Sequence, residues 1–196
     1  MENEKIAIDI VLLLPPEIVE KCIFVNSQLD NSGYVSFTNG YNPHITLGMG
    51  CIFKKDLDIV KNKIQKLSEK IKPLNLTTSG YSGERTFGFA IEKNSELMTM
   101  HDEAISLLKE IASYGDATYE MFNESEKVKD DPGLVKWVSN FVIEHSGELY
   151  DPHISLGKGD KPKTDFPISF TVNKIGLFHI GQRGSCKEKL AEFMLE

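Results

Sequence analysis

The chain has 196 residues, 40% of them hydrophobic and 26% charged, which is enough for one large domain or two small lobes around a real core. Its 22 basic and 29 acidic residues leave a net charge of −7; this argues against a broad footprint on duplex nucleic acid but leaves room for a small anionic substrate, or one RNA end, at a locally favourable site. No apolar run approaches the ~18 residues of a membrane span, Met1-Glu2-Asn3-Glu4 lacks the basic start of a secretory leader, and three widely spaced cysteines (Cys22, Cys51, Cys186) fit neither a disulfide framework nor a zinc pattern, so a cytoplasmic protein is expected.

Lys5 to Leu14 reads as a strand, because Ile6, Ile8, Ile10, Leu12 and Leu14 alternate. Pro15-Pro16-Glu17 opens a helix with the stripe Ile18, Cys22, Val25 and Leu29, and Asn31-Ser32-Gly33 is its expected stop. Residues 34–42 lead into a strand. Asp56 to Ile71 has helical spacing through Leu57, Val60, Ile64, Leu67 and Ile71, with Pro73 beyond. Leu74–Tyr81 and Thr86–Glu92 read as strands joined by the turn Ser82-Gly83-Glu84-Arg85. Ser95 is the expected cap of a third helix ending before Gly115. Residues 116–132 have no clear period. A fourth helix runs from Pro132, after a capping Asp131, to His145. A second strand like that at 44 follows, then a polar loop over 157–164, and Phe166–Val172, Ile175–Gly181 and Cys186–Leu195 close the chain as strands, with Gln182 to Ser185 as the last turn. Hairpins dominate, so the expected class is α+β with largely antiparallel sheets and helices outside.

The main signal is an internal repeat. Residues 41–50 read Tyr-Asn-Pro-His-Ile-Thr-Leu-Gly-Met-Gly, and residues 150–159 read Tyr-Asp-Pro-His-Ile-Ser-Leu-Gly-Lys-Gly. Seven of ten positions are identical, and the copies lie 109 residues apart, which suggests two related lobes rather than a solenoid. In a strand, residues i and i+2 share a face, so His44 and Thr46 point one way and Ile45 and Leu47 the other, and His153 and Ser155 repeat this. A lone His-x-Thr is more often a packed residue than a catalyst. Here, however, the polar face is kept as strictly as the apolar one, which a duplicated structural strand does not require. Two facing imidazoles suit phosphodiester hydrolysis, one taking a proton from water and the other giving one to the leaving alkoxide. The two hydroxyls can hydrogen-bond the non-bridging phosphate oxygens.

The paired Pro-His-Ile-[Thr/Ser]-Leu segments resemble the two His-x-[Thr/Ser] motifs of the 2H phosphoesterase superfamily, specifically its 2′-5′ RNA ligase-like, RNA 2′,3′-cyclic phosphodiesterase group. Ile8 to Glu17 resembles that group's opening strand and Pro-Pro-Glu, Leu97 to His101 the start of its third helix, and Ile175 to Leu195 its closing hairpin. The resemblance implies one bilobal, pseudo-symmetric domain over 1–196, with two antiparallel sheets around a central cleft that holds both histidines. It implies metal-independent chemistry without a cofactor. By position it makes His44 the acid and His153 the base, an order that the near-symmetry of the pair leaves open, and it has Thr46 and Ser155 hold phosphate. Two features depart from the group. The motif separation is long, and the excess lies at about 117–148, where seven carboxylates stand against three lysines. This insert either covers the cleft edge and restricts substrate or pads a lobe. Where related members often carry Arg five residues after the second histidine, this chain has Lys158, a point charge in place of a fork, and the first copy has Met49.

Tyr41 and Tyr150, three residues before each histidine, either line the cleft or pack at the start of a strand, and packing is the commoner role. His101 and His179 read as structural, His145 as a helix end, and Arg183 as a turn residue within reach of an outer phosphate. The leading expectation is hydrolysis of a 2′,3′-cyclic phosphate on RNA ends or nucleotides by a monomer, with RNA 2′-5′ ligation as a side activity. The alternatives are cleavage of 2′-5′ or cyclic (oligo)nucleotide linkages, and a non-catalytic nucleotide- or RNA-binding module. A metal hydrolase is disfavoured, since each motif supplies one ligand and no carboxylate or cysteine cluster completes a site in the sequence.

Overall fold

A computed structural model describes residues 3–29, 34–84 and 86–196. The elements in chain order are β1 (Lys5–Leu13), α1 (Pro16–Ser27), β2 (His44–Phe53), α2 (Leu57–Ser68), β3 (Leu74–Ser82), β4 (Thr86–Ile91), α3 (Ser95–Ile111), α4 (Ser125–Val128), α5 (Pro132–Glu144), β5 (His153–Lys158), β6 (Ile168–Val172), β7 (Lys174–Ile180) and β8 (Cys186–Met194). The periodic segments fold as their spacing predicts, and the differences lie at ends and in the aperiodic stretch. Helix α1 stops at Ser27, where the Gln28 and Leu29 amides tighten onto the Val25 and Asn26 carbonyls; the expected stop at 31–33 and the turn residue Arg85 lie outside the described residues. Asn94, not Ser95, caps α3, accepting from the Leu97 amide at 2.8 Å. Asp131 caps α5 as expected, accepting from Leu134 at 3.1 Å. The aperiodic stretch holds a single 3₁₀ turn (Tyr119–Met121) and the one-turn helix α4. No helix among the described residues is long and apolar enough to cross a membrane.

Two four-stranded antiparallel sheets form, in the orders β2-β1-β7-β8 and β5-β4-β3-β6. Each repeat strand is therefore an edge strand, and β2 and β5 meet where the lobes join. Both repeats carry a β-bulge at the same place. Leu47 has no partner between the pairs Gly48–Ile10 and Thr46–Val11, and Leu156 has none between Gly157–Phe87 and Ser155–Gly88. Each bulge carbonyl is met by a buried polar side chain on a helix. His101 of α3 donates from Nδ1 to the Leu47 carbonyl at 2.7 Å, and Asn26 of α1 donates from Nδ2 to the Leu156 carbonyl at 2.8 Å. The helices are thus exchanged: α1 follows a strand of the first sheet and packs on the second, while α3 follows a strand of the second and packs on β2 of the first. That exchange ties the lobes together. Gly48 is the contact point for α3, since a Cβ there would stand 2.8 Å from the Leu108 Cδ1.

Candidate active site

Residues opposite one another in a sheet share a face, so the pairs Leu13–His44, Val11–Thr46 and Asp9–Met49 all look the same way. In the second sheet His153, Ser155 and Lys158 share a face through their partners Ala90, Gly88 and Thr86. Strict alternation would turn Met49 and Lys158 away from the histidines. The bulges turn them back. The two faces line one cleft of about 420 Å³, whose walls include His44, Thr46, Met49, His153, Ser155 and Lys158. That volume lies within the usual range for small-molecule sites. Both motifs line this one cleft, and Lys158 lines it with them.

The two histidines are oriented by the same device. The His44 Nδ1 lies 2.8 Å from the Asn42 carbonyl, and the His153 Nδ1 lies 2.8 Å from the Asp151 carbonyl. A carbonyl can only accept, so each ring carries its hydrogen on Nδ1 and presents Nε2 as its reactive nitrogen. The environments then diverge. The His44 Nε2 lies 3.5 Å from the Oδ2 of Asp9, a fully buried carboxylate on the central strand β1. The Thr46 hydroxyl donates to the same oxygen at 2.9 Å, and the Cys186 Sγ stands 3.8 Å from it and 3.6 Å from His44 Nε2. Burial pushes the His44 imidazole down, but the Asp9 carboxylate and the Asn42 carbonyl outweigh it and hold the imidazole above its ordinary value. Burial also pushes the Asp9 carboxyl up, against the pull of His44, Thr46 and Cys186. Both directions have one meaning, that the Asp9–His44 pair holds a proton to higher pH than separate groups would. The second motif has no such carboxylate among the described residues; the residue matching Asp9 by register is Thr86.

The expected phosphate ligands differ in the same way. The Thr46 hydroxyl proton is committed to Asp9, so Thr46 offers a ligand only its oxygen lone pairs unless it rotates. Ser155 lines the cleft together with Tyr34. Both tyrosines of the repeat are packed. Tyr41 donates to Glu124 at 2.8 Å and accepts from Gln182 at 2.7 Å, while its ring edges the cleft. Tyr150 does not line this cleft. It donates to the Thr46 carbonyl at 2.7 Å, stacks on His101 at 3.7 Å, and borders a side cavity of about 170 Å³. His101 also accepts from the Gly147 amide at 3.1 Å, and burial lowers its basicity, which makes it a neutral structural histidine. His179 bonds the Met121 carbonyl and Glu188.

Within the insert, α5 forms a cleft wall with Asp131, Leu134 and Trp137. Arg183, at the cleft rim, is held by Asp131 at 2.9 Å. Sequence reasoning passed over Asp9, Tyr34 and Trp137. Asp9 did leave a signal, as the one charged residue inside the apolar run Ile6–Leu14. The expectation that no carboxylate or cysteine cluster completes a site with a motif histidine fails at His44, where Asp9 and Cys186 stand beside it. Residues 9 and 186 are remote in sequence, and β1 and the start of β8 bring them there. The clamp on β8 is Asn42, whose amide and side chain both donate to the Cys186 carbonyl, at 2.7 and 3.1 Å.

A mixed α+β protein with two antiparallel sheets around a histidine-lined cleft is the class these features define, and it has the LigT-like fold that the repeat implied. The chain superposes over nearly its whole length on solved structures of that fold. TT0787 of Thermus thermophilus is 15% identical with a TM-score of 0.56, covering 97% of this chain and 98% of that one. E. coli LigT complexed with 3′-AMP is 14% identical with a TM-score of 0.56, covering 96% of each chain, and its NADP+ complex is 13% identical with a TM-score of 0.55, covering 98% and 99%. No protein-family model and no curated protein matches the sequence.

Proposed function

We propose that this protein is a 2H-type phosphodiesterase that opens a 2′,3′-cyclic phosphate on an RNA end or a nucleotide, with His44 as general acid and His153 as general base. The observation that carries the reading is the asymmetry of two otherwise matched histidines: each is fixed by a carbonyl two residues back, and only His44 has a buried carboxylate at 3.5 Å among the described residues. A cyclic phosphodiester needs one proton taken from water and one given to the leaving sugar oxygen. The group that keeps its proton is suited to giving one. His153 takes the proton of the attacking water, and the leaving 2′ or 3′ oxygen departs with the His44 proton. Lys158, Ser155 and Arg183 supply donors for the phosphate in an otherwise acidic protein. Thr46 acts mainly by holding Asp9 beside His44. The 3′-AMP and NADP+ complexes of LigT support a nucleotide as the occupant, and the α5 wall with Trp137 favours a short one.

The test is phosphorus NMR of a dinucleotide ending in a 2′,3′-cyclic phosphate, with purified protein in EDTA. The cyclic signal should convert to one monoester, whose position identifies the leaving oxygen. His44→Ala and His153→Ala should each lose about 10²–10⁴-fold in rate. No turnover of the cyclic end, with turnover of 2′-5′-linked or cyclic oligonucleotides, moves the same machinery to those linkages. Binding of nucleotides without turnover of any of them makes the cleft a recognition module.

A further inference from the structure

Three groups of different chemistry meet under the cleft floor at His44, and one of them, the Cys186 thiol, has no place in the proton transfers above. The Asp9 Oδ2, His44 Nε2 and Cys186 Sγ form a triangle with sides of 3.5, 3.6 and 3.8 Å. A tetrahedral dication with Zn–N and Zn–O bonds of about 2.0–2.1 Å and a Zn–S bond of about 2.3 Å sets its ligand atoms about 3.3–3.6 Å apart. The protein already holds the three atoms within a few tenths of an ångström of that spacing. We infer that Asp9, His44 and Cys186 form a binding site for a thiophilic divalent cation, zinc above all, and that occupying it switches off the His44 acid; the inhibitory half of this rests on the proposed phosphodiesterase reading.

Three independent observations support a ligand here. The Asp9 Oδ1 is fully buried and has no hydrogen-bond partner among the described residues, so this carboxylate carries negative charge that its protein partners leave under-compensated, and a cation on Oδ2 would balance it. The His44 Nδ1–H donates to the Asn42 carbonyl, the arrangement that fixes the tautomer and aims Nε2 in metal-ligating histidines. The backbone at Cys186 is held by the Asn42 clamp, so the sulfur is pre-positioned. Charge also balances. On binding, Cys186 gives up its thiol proton and the Asp9–His44 pair its acid proton to solvent, and the carboxylate, thiolate and neutral imidazole that remain together neutralise the dication, which suits a buried site. Three protein ligands leave a fourth position for water or a substrate oxygen. The ion would take the lone pair on Nε2, the atom that must carry the proton for the leaving group, so the cation and the acid proton compete for one nitrogen. The preference for zinc over magnesium or calcium follows from the sulfur and nitrogen donors. The second motif offers nothing comparable among the described residues, since Lys158 and Thr86 replace Met49 and Asp9 in register.

The experiment uses cobalt as a visible stand-in for zinc on the full, chelator-stripped chain. One equivalent should bind and give a thiolate-to-cobalt charge-transfer band that zinc displaces. Cys186→Ser should abolish the band and weaken zinc binding by ~100-fold or more, beyond what loss of an outer partner costs. Cys22→Ser and Cys51→Ser should keep the band, because those thiols are buried elsewhere. Asp9→Asn gives a second handle should Cys186→Ser fold poorly: the band should persist while zinc affinity falls. A missing band, or a band that survives Cys186→Ser, overturns the site. Hydrolysis of the cyclic phosphate should fall in step with zinc occupancy and return with EDTA; full occupancy with undiminished turnover overturns the inhibition. A protein inactive on the cyclic phosphate sinks the proposed function, and the cobalt spectrum still decides the site.

Discussion

Replacing Asp9 with asparagine isolates the charge that distinguishes the two histidines. The side chain keeps its shape, and its amide oxygen can still accept from Thr46, now at 2.9 Å from Asp9 Oδ2. What disappears is the negative charge 3.5 Å from His44 Nε2. At that distance and an effective dielectric of ~20, the ion pair is worth about 4–5 kcal/mol. At about 1.4 kcal/mol per power of ten, this bounds the effect on the acid at roughly a thousandfold. Burial of His44 opposes protonation throughout, and a dipolar amide replaces part of the lost attraction, so the expected loss in kcat/KM at neutral pH is about 10–100-fold. The sign is definite. Asp9 raises His44, so the acid form persists to higher pH in the parent. In Asp9→Asn the alkaline limb of kcat/KM therefore moves to lower pH, the deficit widening as pH rises and closing as pH falls. The assay is the full pH–rate profile with a cyclic mononucleotide in EDTA, which keeps metal ions out of the result. An unmoved alkaline limb would refute the assignment of His44 as the acid. So would a loss that is uniform at every pH, which would make Asp9 a packing residue.

Other consequences are equally checkable. Gly88→Ala puts a Cβ 2.3 Å from the Ile154 carbonyl oxygen, so β5 must shift; it should cost about 1–3 kcal/mol in denaturant unfolding, whereas Gly80→Ala, with nothing within 4 Å, should stay within ~0.5 kcal/mol. Lys158→Ala should raise KM for the cyclic phosphate by ~10-fold while changing kcat less, as expected for one lost charge-assisted contact, and an unchanged KM would remove Lys158 from the phosphate site. Burial pushes the Cys22 and Cys51 thiols up to about 12, so in the native protein neither should react with a thiol reagent at neutral pH, and both should react in denaturant.

The sequence alone determined a great deal. The order of elements followed from apolar spacing and caps, because local periodicity is decided by which faces are buried. The duplicated strand fixed His44, Thr46, His153 and Ser155 on matching faces, because side-chain direction in a strand has period two. What it missed depends on contacts between remote segments. A single extra residue in each repeat strand, Leu47 and Leu156, turned Lys158 and Met49 toward the cleft, and bulges show only when a strand meets its partner. Spacing left Tyr150 between a cleft role and the commoner packing role, and the fold settles it as packing, its hydroxyl spent on the Thr46 carbonyl. The sequence left the 117–148 insert between covering the cleft edge and padding a lobe, and tertiary packing made α5 a cleft wall. Above all, Asp9 and Cys186 are 177 residues apart in the chain and reach His44 only because β1 and the start of β8 converge there. A pattern in one strand can name the proton carriers, but the fields that make one of them an acid come from the rest of the fold.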